Sequence, residues 1–443
     1  MRIQLSDHFT LSRLLRFVLP SVVMMVFTSL YSIVDGFFIS NFAGKTPFAA
    51  VNLIMPLTMG VGTLGFMIGT GGSAVVSRLL GEGKPMEANR AFSFLIYFSI
   101  AATLLLSVLG AVFIRPLARL LGAEGELLEY CAVYGRILFL GMTAFVLQCE
   151  FQSFFVVAEK PNLGLVMSIV AGVVNAILDW LLIGVFDLGV VGAGLATVAG
   201  QVVGGVIPVF YFVGHNNSLL RLTRAGFDGR VLLKTCTNGA SELTSNLSAS
   251  FVTVLYNFQL MRLAGEDGVA ALGVIMYTNF IFCAVFFGYS IGSAPLVGYH
   301  FGADNRDELK NLLRKSLLLV TIAGLSMTLL SELLAWPLTA MFVSYDAALL
   351  DMTCRGFRIY SLMFLFMGYS VWGSSFFTAL SNGLVSALIS LMRMLVCQSL
   401  AIFTLPYLLG LDGVWISNVA AELLAAAFAA VCFVKMRKKY GYV

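Results

Sequence analysis

The 443-residue sequence is poor in charge, and this scarcity limits its class before any motif is considered. Only 11% of the residues are Asp, Glu, Lys or Arg, whereas 59% are hydrophobic. Soluble domains carry about 25% charged residues. The composition therefore excludes an ordinary soluble protein and predicts an integral membrane protein. The net charge of +4 gives no basis for expecting a nucleic-acid partner.

Cysteine and histidine are also sparse. The seven cysteines are scattered without a C-x-x-C pair, so we expect small packing residues rather than disulfides or metal ligands. The three histidines, His8, His215 and His300, lie outside or at the edge of apolar runs. This pattern predicts no structural metal and no cofactor other than a coupling ion. We also expect no removable signal peptide, and the opening MRIQLSDHFTLSRLLRF is interpreted as an amphipathic lead-in.

Long uncharged runs, punctuated by charge, Gly and Pro, predict an all-α polytopic membrane protein with twelve transmembrane helices. The predicted spans are 13–40, 49–80, 91–114, 126–158, 161–184, 189–213, 231–261, 267–300, 310–333, 348–380, 384–409 and 412–434.

The distribution of basic residues predicts the orientation. With an internal N-terminus, most of the 27 Lys and Arg fall in cytoplasmic segments, and the outer loops hold only Lys45, Arg115, Arg119 and Arg262. The positive-inside rule thus predicts a multi-pass protein of the cytoplasmic (inner) membrane with both termini in the cytoplasm.

The two halves of the chain resemble each other at a separation of about 221 residues. SRLLGEGK (77–84) aligns with GYHFGADN (298–305), and GVVGAGLATVAGQ (189–201) aligns with GLDGVWISNVAAE (410–422). A parallel repeat predicts two six-helix lobes related by a pseudo-two-fold axis along the membrane normal. We assign residues 1–213 to the N-lobe, 214–234 to a cytoplasmic linker and 235–443 to the C-lobe. Such a design favours a transporter with alternating access.

Four polar residues of the N-lobe are predicted at a common depth in the membrane. Asp35, Asp179 and Thr197 each fall about 8–10 Å below the outer boundary. Asn175 and Asp179 are spaced i, i+4 and therefore share one helix face. Hard oxygen ligands of this kind suit Na⁺, bound by Asn175, Asp179 and Thr197, or a proton shared between two carboxyl groups. The alternative is that each aspartate is simply hydrated near the interface.

The repeat favours a function for this set, because the second half lacks it. At the same separation Asp179 corresponds to Leu400, Asn175 to Val396 and Asp35 to Tyr256. The fold itself thus does not require the polar residues.

Other polar or aromatic residues are weaker candidates. Arg393 and Glu422 are expected on adjacent spans, where they could simply neutralise each other. Glu242 and Asn246 are spaced i, i+4 and face either the cavity between the lobes or the interface. The candidates for a substrate cavity are Tyr31, Gln148, Glu150, Glu242, Asn246 and Trp372.

Pro20 lies 15 residues before Asp35 in the first span. A proline inside a helix removes one backbone hydrogen bond, so it favours a kink. The alternative is a tolerated proline near the helix start.

At these residues the sequence resembles the multidrug and toxic compound extrusion (MATE) family over its whole length. The resemblance rests on Asp35 after Pro20, on N-x-x-x-D at 175–179, on GAGLAT at 192–197 and on AEKP at 158–161. It implies a V-shaped exporter of amphipathic, often cationic compounds, driven by Na⁺ or H⁺ entry. It also implies that the first span bends near Pro20 when Asp35 or its partners change protonation. Some branches of the family have an acidic residue in the tenth span, whereas residues 359–380 of this sequence contain none. This difference favours coupling through the N-lobe.

Three other functions fit the sequence less well. A lipid-linked precursor flippase of the same superfamily would need a cationic cavity, and the spans offer mainly Arg393. An intramembrane enzyme would need a nucleophile–base pair or metal ligands, and neither is evident. The major-facilitator loop pattern is absent from SRLLGEGKPMEANR. We therefore expect a monomeric, non-enzymatic antiporter in membrane lipid, exchanging a drug or toxic organic cation for H⁺ or Na⁺.

Overall fold

A computed structural model describes residues 3–39, 42 and 44–442 of the chain. In these ranges the elements are helical, with wide π-helical turns at Trp180–Val185 and Met392–Cys397. The α-helices are α1 (Leu11–Phe38), α2 (Lys45–Gly81), α3 (Pro85–Leu120), α4 (Gly125–Leu140), α5 (Met142–Val157), α6 (Pro161–Asp179), α7 (Gly189–Val213), α8 (Gly229–Gly302), α9 (Arg306–Val343), α10 (Ala347–Ser361), α11 (Phe364–Ala379), α12 (Gly383–Leu391), α13 (Gln398–Leu409) and α14 (Leu411–Tyr440).

These helices make twelve membrane spans within the described ranges. Nine are long and apolar enough to cross a membrane, and two bent pairs, α4 with α5 (53°) and α10 with α11 (50°), each form one more. The twelfth arises because α8 breaks at Gly265, where φ is 63° and ψ is −147°. An unbroken helix of 74 residues would extend about 110 Å, far beyond a bilayer. Residues 229–264 are called the first arm of α8 and residues 266–302 the second arm. The predicted twelve-helix fold is confirmed.

The internal repeat is visible in the backbone. Residues with positive φ recur 221 or 222 positions apart, at matching places between helices. The pairs are Gly44 and Gly265, Gly83 and Asp304, Glu159 and Ser381, and Gly189 and Gly410. Because few backbone positions adopt this conformation, such a recurrence indicates that the two halves share one topology.

The lobes touch most closely near the face that holds both chain ends, here called the terminal face. A Cβ atom built on Gly71 of α2 would lie 2.1 Å from the carbonyl oxygen of Thr235, and one on Gly239 2.0 Å from that of Met67. These distances leave room for glycine only. The C-terminal half of α2 therefore lies backbone to backbone against α8, which closes the molecule at the terminal face.

The N-terminal lead-in lies across this closed face and contacts both lobes. Leu5 and Phe9 are fully buried. The Leu5 amide donates to Glu159 between α5 and α6 (2.8 Å), and the Phe9 amide donates to Glu308 of α9 (2.9 Å). His8 makes a further contact with Glu308, at 2.6 Å. Residues 3–10 thus form a non-helical strap between the lobes.

The segment between the lobes also packs on the terminal face. Residues 214–228 are not helical, and α8 begins at Gly229, inside the range assigned to the linker. Leu220 is fully buried. The Arg221 amide donates to Asn89 Oδ1 of α3 at 2.7 Å. The connection is therefore held against the N-lobe.

Candidate cation and substrate site

A cavity lies inside the N-lobe, in the half away from the terminal face. It offers about 100 Å³ of water-accessible space between α1, α2, α4, α5, α6 and α7. Five of the residues predicted from the sequence line this cavity: Tyr31, Asp35, Gln148, Asn175 and Thr197. The structure therefore brings together side chains that are up to 166 positions apart in the sequence, Tyr31 to Thr197.

Helix α6 carries the two most deeply buried polar residues of the site. Asn175 is 3% exposed and Asp179 is 0% exposed, whereas Ile177 on the opposite side is 55% exposed. The i, i+4 spacing therefore places both polar groups on the inner face, as predicted from the sequence. The π-helical turn begins directly after Asp179. Such turns widen a helix and are frequent at functional sites.

Asp179 and Asp35 form a carboxylate pair from two helices. The Asp35 side chain lies beside both Asp179 and the Asn175 amide. When both carboxylates are ionised they offer only acceptors. Neither Asp179 oxygen has a hydrogen-bond partner among the described residues. A buried, unpaired charge is strongly unfavourable, so the pair requires a proton or another cation.

Helix α7 approaches this pair through a small residue. A Cβ on Gly200 would lie 2.9 Å from the carbonyl oxygen of Ala171 and 3.1 Å from Cβ of Asn175. Glycine thus allows α7 to lie against α6 beside the polar residues. Thr197 of α7 lines the cavity, and its hydroxyl donates to the carbonyl oxygen of Ala193 at 2.9 Å.

Several residues of the cavity wall were not predicted from the sequence. Tyr134 of α4 lies near Asp35, Asp179 and Thr197. The other missed lining residues include Met55, Thr58, Met59, Met142, Phe145 and Gln201. Gln201 follows Thr197 by one helical turn, so its spacing was a usable signal. The methionines gave no such signal in the sequence, because an apolar residue in a membrane helix has many possible neighbours.

Trp372 does not line this cavity. It is 1% exposed inside the C-lobe, stacked on Phe433 with ring centroids 6.0 Å apart. Its indole nitrogen donates to Ser293 Oγ at 3.1 Å. A buried tryptophan needs such a partner, and here a serine of the neighbouring helix supplies it.

Glu150 likewise lies outside the cavity wall. It is fully buried in α5, and a Cβ on Gly69 of α2 would lie 3.0 Å from its Cα. Its neighbour on α5, Gln148, does line the cavity. Residues two positions apart point to different sides of a helix, which explains why Gln148 reaches this cavity and Glu150 does not.

Glu242 and Asn246 belong to the first arm of α8 and are not part of the N-lobe cavity. Asn246 is exposed, and its amide donates to the backbone carbonyl of Glu242 at 2.9 Å. Glu242 is partly exposed and lies near Arg393.

The predicted pairing of Arg393 with Glu422 is confirmed. Arg393 Nε lies 2.8 Å from Glu422 Oε1 in the C-lobe interior.

Helix α1 runs without interruption through Pro20. The kink at this proline therefore remains a prediction about another conformation.

The predicted correspondence of Asp179 to Leu400 requires correction. Leu400 is 57% exposed, whereas Ile402 is fully buried, as Asp179 is. The separation between the halves is already 222 at Glu159 and Ser381, and the π-helical turn Met392–Cys397 adds one more residue before this position. The internal counterpart of Asp179 is therefore Ile402, and that of Asn175 is Gln398 rather than Val396.

Comparison with known proteins gives one family. The MatE family model matches residues 20–181 and again residues 243–403. Multidrug export protein MepA of Staphylococcus saprophyticus is 23% identical over 427 residues, which cover 96% of this chain and 94% of that protein.

Solved structures share the fold. An outward-facing multidrug resistance MATE family transporter of the MOP superfamily is 22% identical, with a TM-score of 0.91 over 97% of this chain and 98% of that one. A MOP superfamily transporter from Pyrococcus furiosus, described as having a binding pocket of reverse polarity, is 22% identical, with a TM-score of 0.89 over 98% and 97% of the two chains. Since the family model matches both halves and most of the length, the chain belongs to the MatE family and is a multi-pass membrane transporter rather than an enzyme.

Proposed function

We propose that this transporter is a secondary active exporter of amphipathic, mainly cationic drugs and toxic compounds, driven by H⁺ or Na⁺ entry. The observation that carries the proposal is the N-lobe cavity, in which methionine and aromatic side chains surround a carboxylate pair. Apolar and aromatic surfaces bind amphipathic molecules, and aromatic faces also attract organic cations. The relatives named as multidrug export proteins support the same function.

The coupling step follows from the burial of Asp179. Asn175, Asp179 and Thr197 hold the coupling ion, and Asp35 acts nearby as proton acceptor or hydrogen-bond partner. A cationic substrate and the coupling ion compete for the same negative charge, so binding of one favours release of the other. Such competition, joined to alternating access, is sufficient for antiport.

The orientation follows from the positive-inside rule, with both termini in the cytoplasm and the protein in the inner membrane. The terminal face is then cytoplasmic, and the described structure is closed toward the cytoplasm. Ions from outside reach Asp35 in this state. We further propose that α1 bends at Pro20 when the carboxylate pair is neutralised, and that the protein acts as a monomer in lipid.

A flippase for lipid-linked precursors is less well supported. The described residues that line the cavity include no Lys or Arg to bind a phosphate. The buried Arg393 lies in the other lobe and is already paired with Glu422. Charge complementarity therefore favours a cation over a pyrophosphate-linked lipid.

The test uses inverted membrane vesicles from an efflux-deficient bacterium that expresses the protein. Addition of an H⁺ or Na⁺ gradient should drive uptake of an ethidium-like dye into these vesicles, and cells should gain resistance to lipophilic cations. Scrambling of a phospholipid-linked sugar in proteoliposomes is the counter-test. Sugar-lipid scrambling without dye transport, at confirmed membrane expression, would favour the flippase instead.

A further inference from the structure

The C-lobe contains polar residues at the positions that correspond to the N-lobe site. At a separation of 221 residues, Tyr256 corresponds to Asp35, Asn418 to Thr197 and Glu422 to Gln201. Gln398 corresponds to Asn175 at a separation of 223, because one extra residue precedes Ser381 and the π-helical turn adds another. The second lobe has therefore kept a polar cluster at this place while changing its chemistry.

The first part of this cluster is a chain of neutral hydrogen bonds. The Tyr256 hydroxyl donates to Gln398 Oε1 at 2.8 Å, and Gln398 Nε2 donates to Asn418 Oδ1 at 2.5 Å. The Asn418 amide in turn contacts the sulfur of Met363. All three polar residues are at most 5% exposed. Here buried polar groups satisfy one another, unlike the carboxylate pair of the N-lobe.

The second part is an ion pair with a fixed cation. Arg393 Nε lies 2.8 and 3.1 Å from the two oxygens of Glu422, and the Ser370 hydroxyl donates to Oε2 at 3.0 Å. Arg393 is 9% exposed and Glu422 is 2% exposed. Glu422 lies near Tyr256, so the ion pair adjoins the neutral chain. Its negative charge is thus compensated entirely by protein groups.

We infer that the Arg393 guanidinium is a tethered replacement, in the C-lobe, for the mobile cation that the N-lobe binds. This inference rests on the proposed N-lobe cation site. Among the described residues that line its cavity, the N-lobe carboxylate pair has no Lys or Arg, so its state changes with the ion. The C-lobe carboxylate carries its cation permanently, so this lobe keeps one state throughout the cycle. The coupling ion therefore acts on one lobe only.

The simpler explanation is that Arg393 and Glu422 are a structural ion pair. Removing the arginine would then destabilise the protein, whichever salt is present. Under our inference, removal instead leaves a buried carboxylate, a space the size of a guanidinium group and a row of polar neighbours. This site should accept a free cation, and a ligand that binds only the folded state raises the unfolding temperature.

The experiment measures the thermal unfolding midpoint of purified full-length protein in lipid nanodiscs. The parent carries Asp179→Asn, so that the N-lobe contributes no ion response. Arg393→Ala is compared with the parent in about 10 mM guanidinium chloride, in NaCl and in choline chloride at equal ionic strength. This guanidinium concentration is far below the molar range that unfolds proteins. The matched control is Arg355→Ala, which breaks an exposed pair with Asp412.

Guanidinium or Na⁺ should raise the midpoint of Arg393→Ala by at least about 2 °C over choline. The parent, Arg355→Ala and the double variant Arg393→Ala/Glu422→Ala should not respond. Absence of a response in Arg393→Ala, or an equal response in the double variant, would overturn the inference. Should Arg393→Ala fail to fold, Arg393→Gln carries the same expectation. Failure of the N-lobe proposal is separately visible, because the Asp179→Asn parent would then respond to Na⁺ or pH as the wild type does.

Discussion

Gly81 and Gly302 make the same contact in opposite directions across the boundary between the lobes. A Cβ on Gly81 would lie 2.0 Å from the carbonyl oxygen of Tyr299, and a Cβ on Gly302 would lie 2.1 Å from that of Arg78. The two residues are 221 positions apart, as are Arg78 and Tyr299. The contact is therefore symmetric about the pseudo-two-fold axis, and it joins α2 to the second arm of α8 at the terminal face.

Gly81→Ala should weaken closure of the terminal face, because the added methyl group meets a backbone carbonyl that cannot move aside. We expect maleimide labelling of a Ser77→Cys reporter, in a background without the seven native cysteines, to become about 5-fold faster. Ser77 is fully buried in the closed state and contacts Gly298. Gly60→Ala is the control on the same helix, since a Cβ there meets nothing within 4 Å. Equal labelling rates for the two alanine variants would contradict the prediction.

Glu308→Ala should release the strap at residues 3–10. Glu308 accepts hydrogen bonds from the Phe9 amide and from Asn311, and it contacts His8. Bonds to a charged group contribute about 1.5–3 kcal/mol each, so their loss should lower the unfolding midpoint and speed labelling of Ser77→Cys. Asp307→Ala is the control, because Asp307 is exposed at the adjacent position. A Glu308→Ala protein that labels at the Asp307→Ala rate would show that the strap does not hold the lobes together.

The fold was largely predictable, because scarcity of charge marks membrane spans directly. The site was predictable where polar residues stood out from apolar surroundings, as Asp35, Asn175, Asp179 and Thr197 do. The position of Trp372 away from the N-lobe cavity was not predictable, because an aromatic residue in an uncharged helix gives no sign of which side it faces. Leu400 was misaligned by two positions, because one residue is added before Ser381 and another by the π-helical turn, a backbone feature without a residue signature. Such turns shift every later side chain by one position.

Trp372→Phe should lower stability without changing substrate preference. The substitution removes the hydrogen bond to Ser293 and some packing against Phe433, a loss of about 1–3 kcal/mol. Tyr31 lines the N-lobe cavity. Tyr31→Phe should therefore change which dyes are exported while leaving the stability close to that of the wild type. The measurements are unfolding midpoints and resistance across a panel of dyes and biocides. If Trp372→Phe changes the resistance profile at normal expression, Trp372 contributes to substrate binding and the prediction is wrong.

The N-lobe site makes the sharpest prediction, because Asp179 is buried without a hydrogen-bond donor among the described residues. Asp179→Asn removes the charge at nearly constant volume, and a neutral amide is cheaper to bury than a carboxylate. The variant should therefore fold, and its unfolding midpoint should equal or exceed that of the wild type. Ion-driven dye export should nevertheless fall at least about 100-fold, which corresponds to the loss of about 2.7 kcal/mol of coupling.

The matched control for this change is Asp187→Asn. Asp187 lies in the loop after the π-helical turn, is exposed and has a φ of 52°, a conformation that asparagine tolerates. It should transport as the wild type does. Transport is measured in inverted vesicles with an imposed Na⁺ or H⁺ gradient, and equilibrium dye binding is measured on purified protein. Binding should survive in Asp179→Asn, since recognition and coupling are separate free-energy terms. If Asp179→Asn still exports at the Asp187→Asn rate in either gradient, the coupling carboxylate lies elsewhere. Glu150 would then be examined first, because it is the other fully buried N-lobe acid without a hydrogen-bond partner in the described ranges.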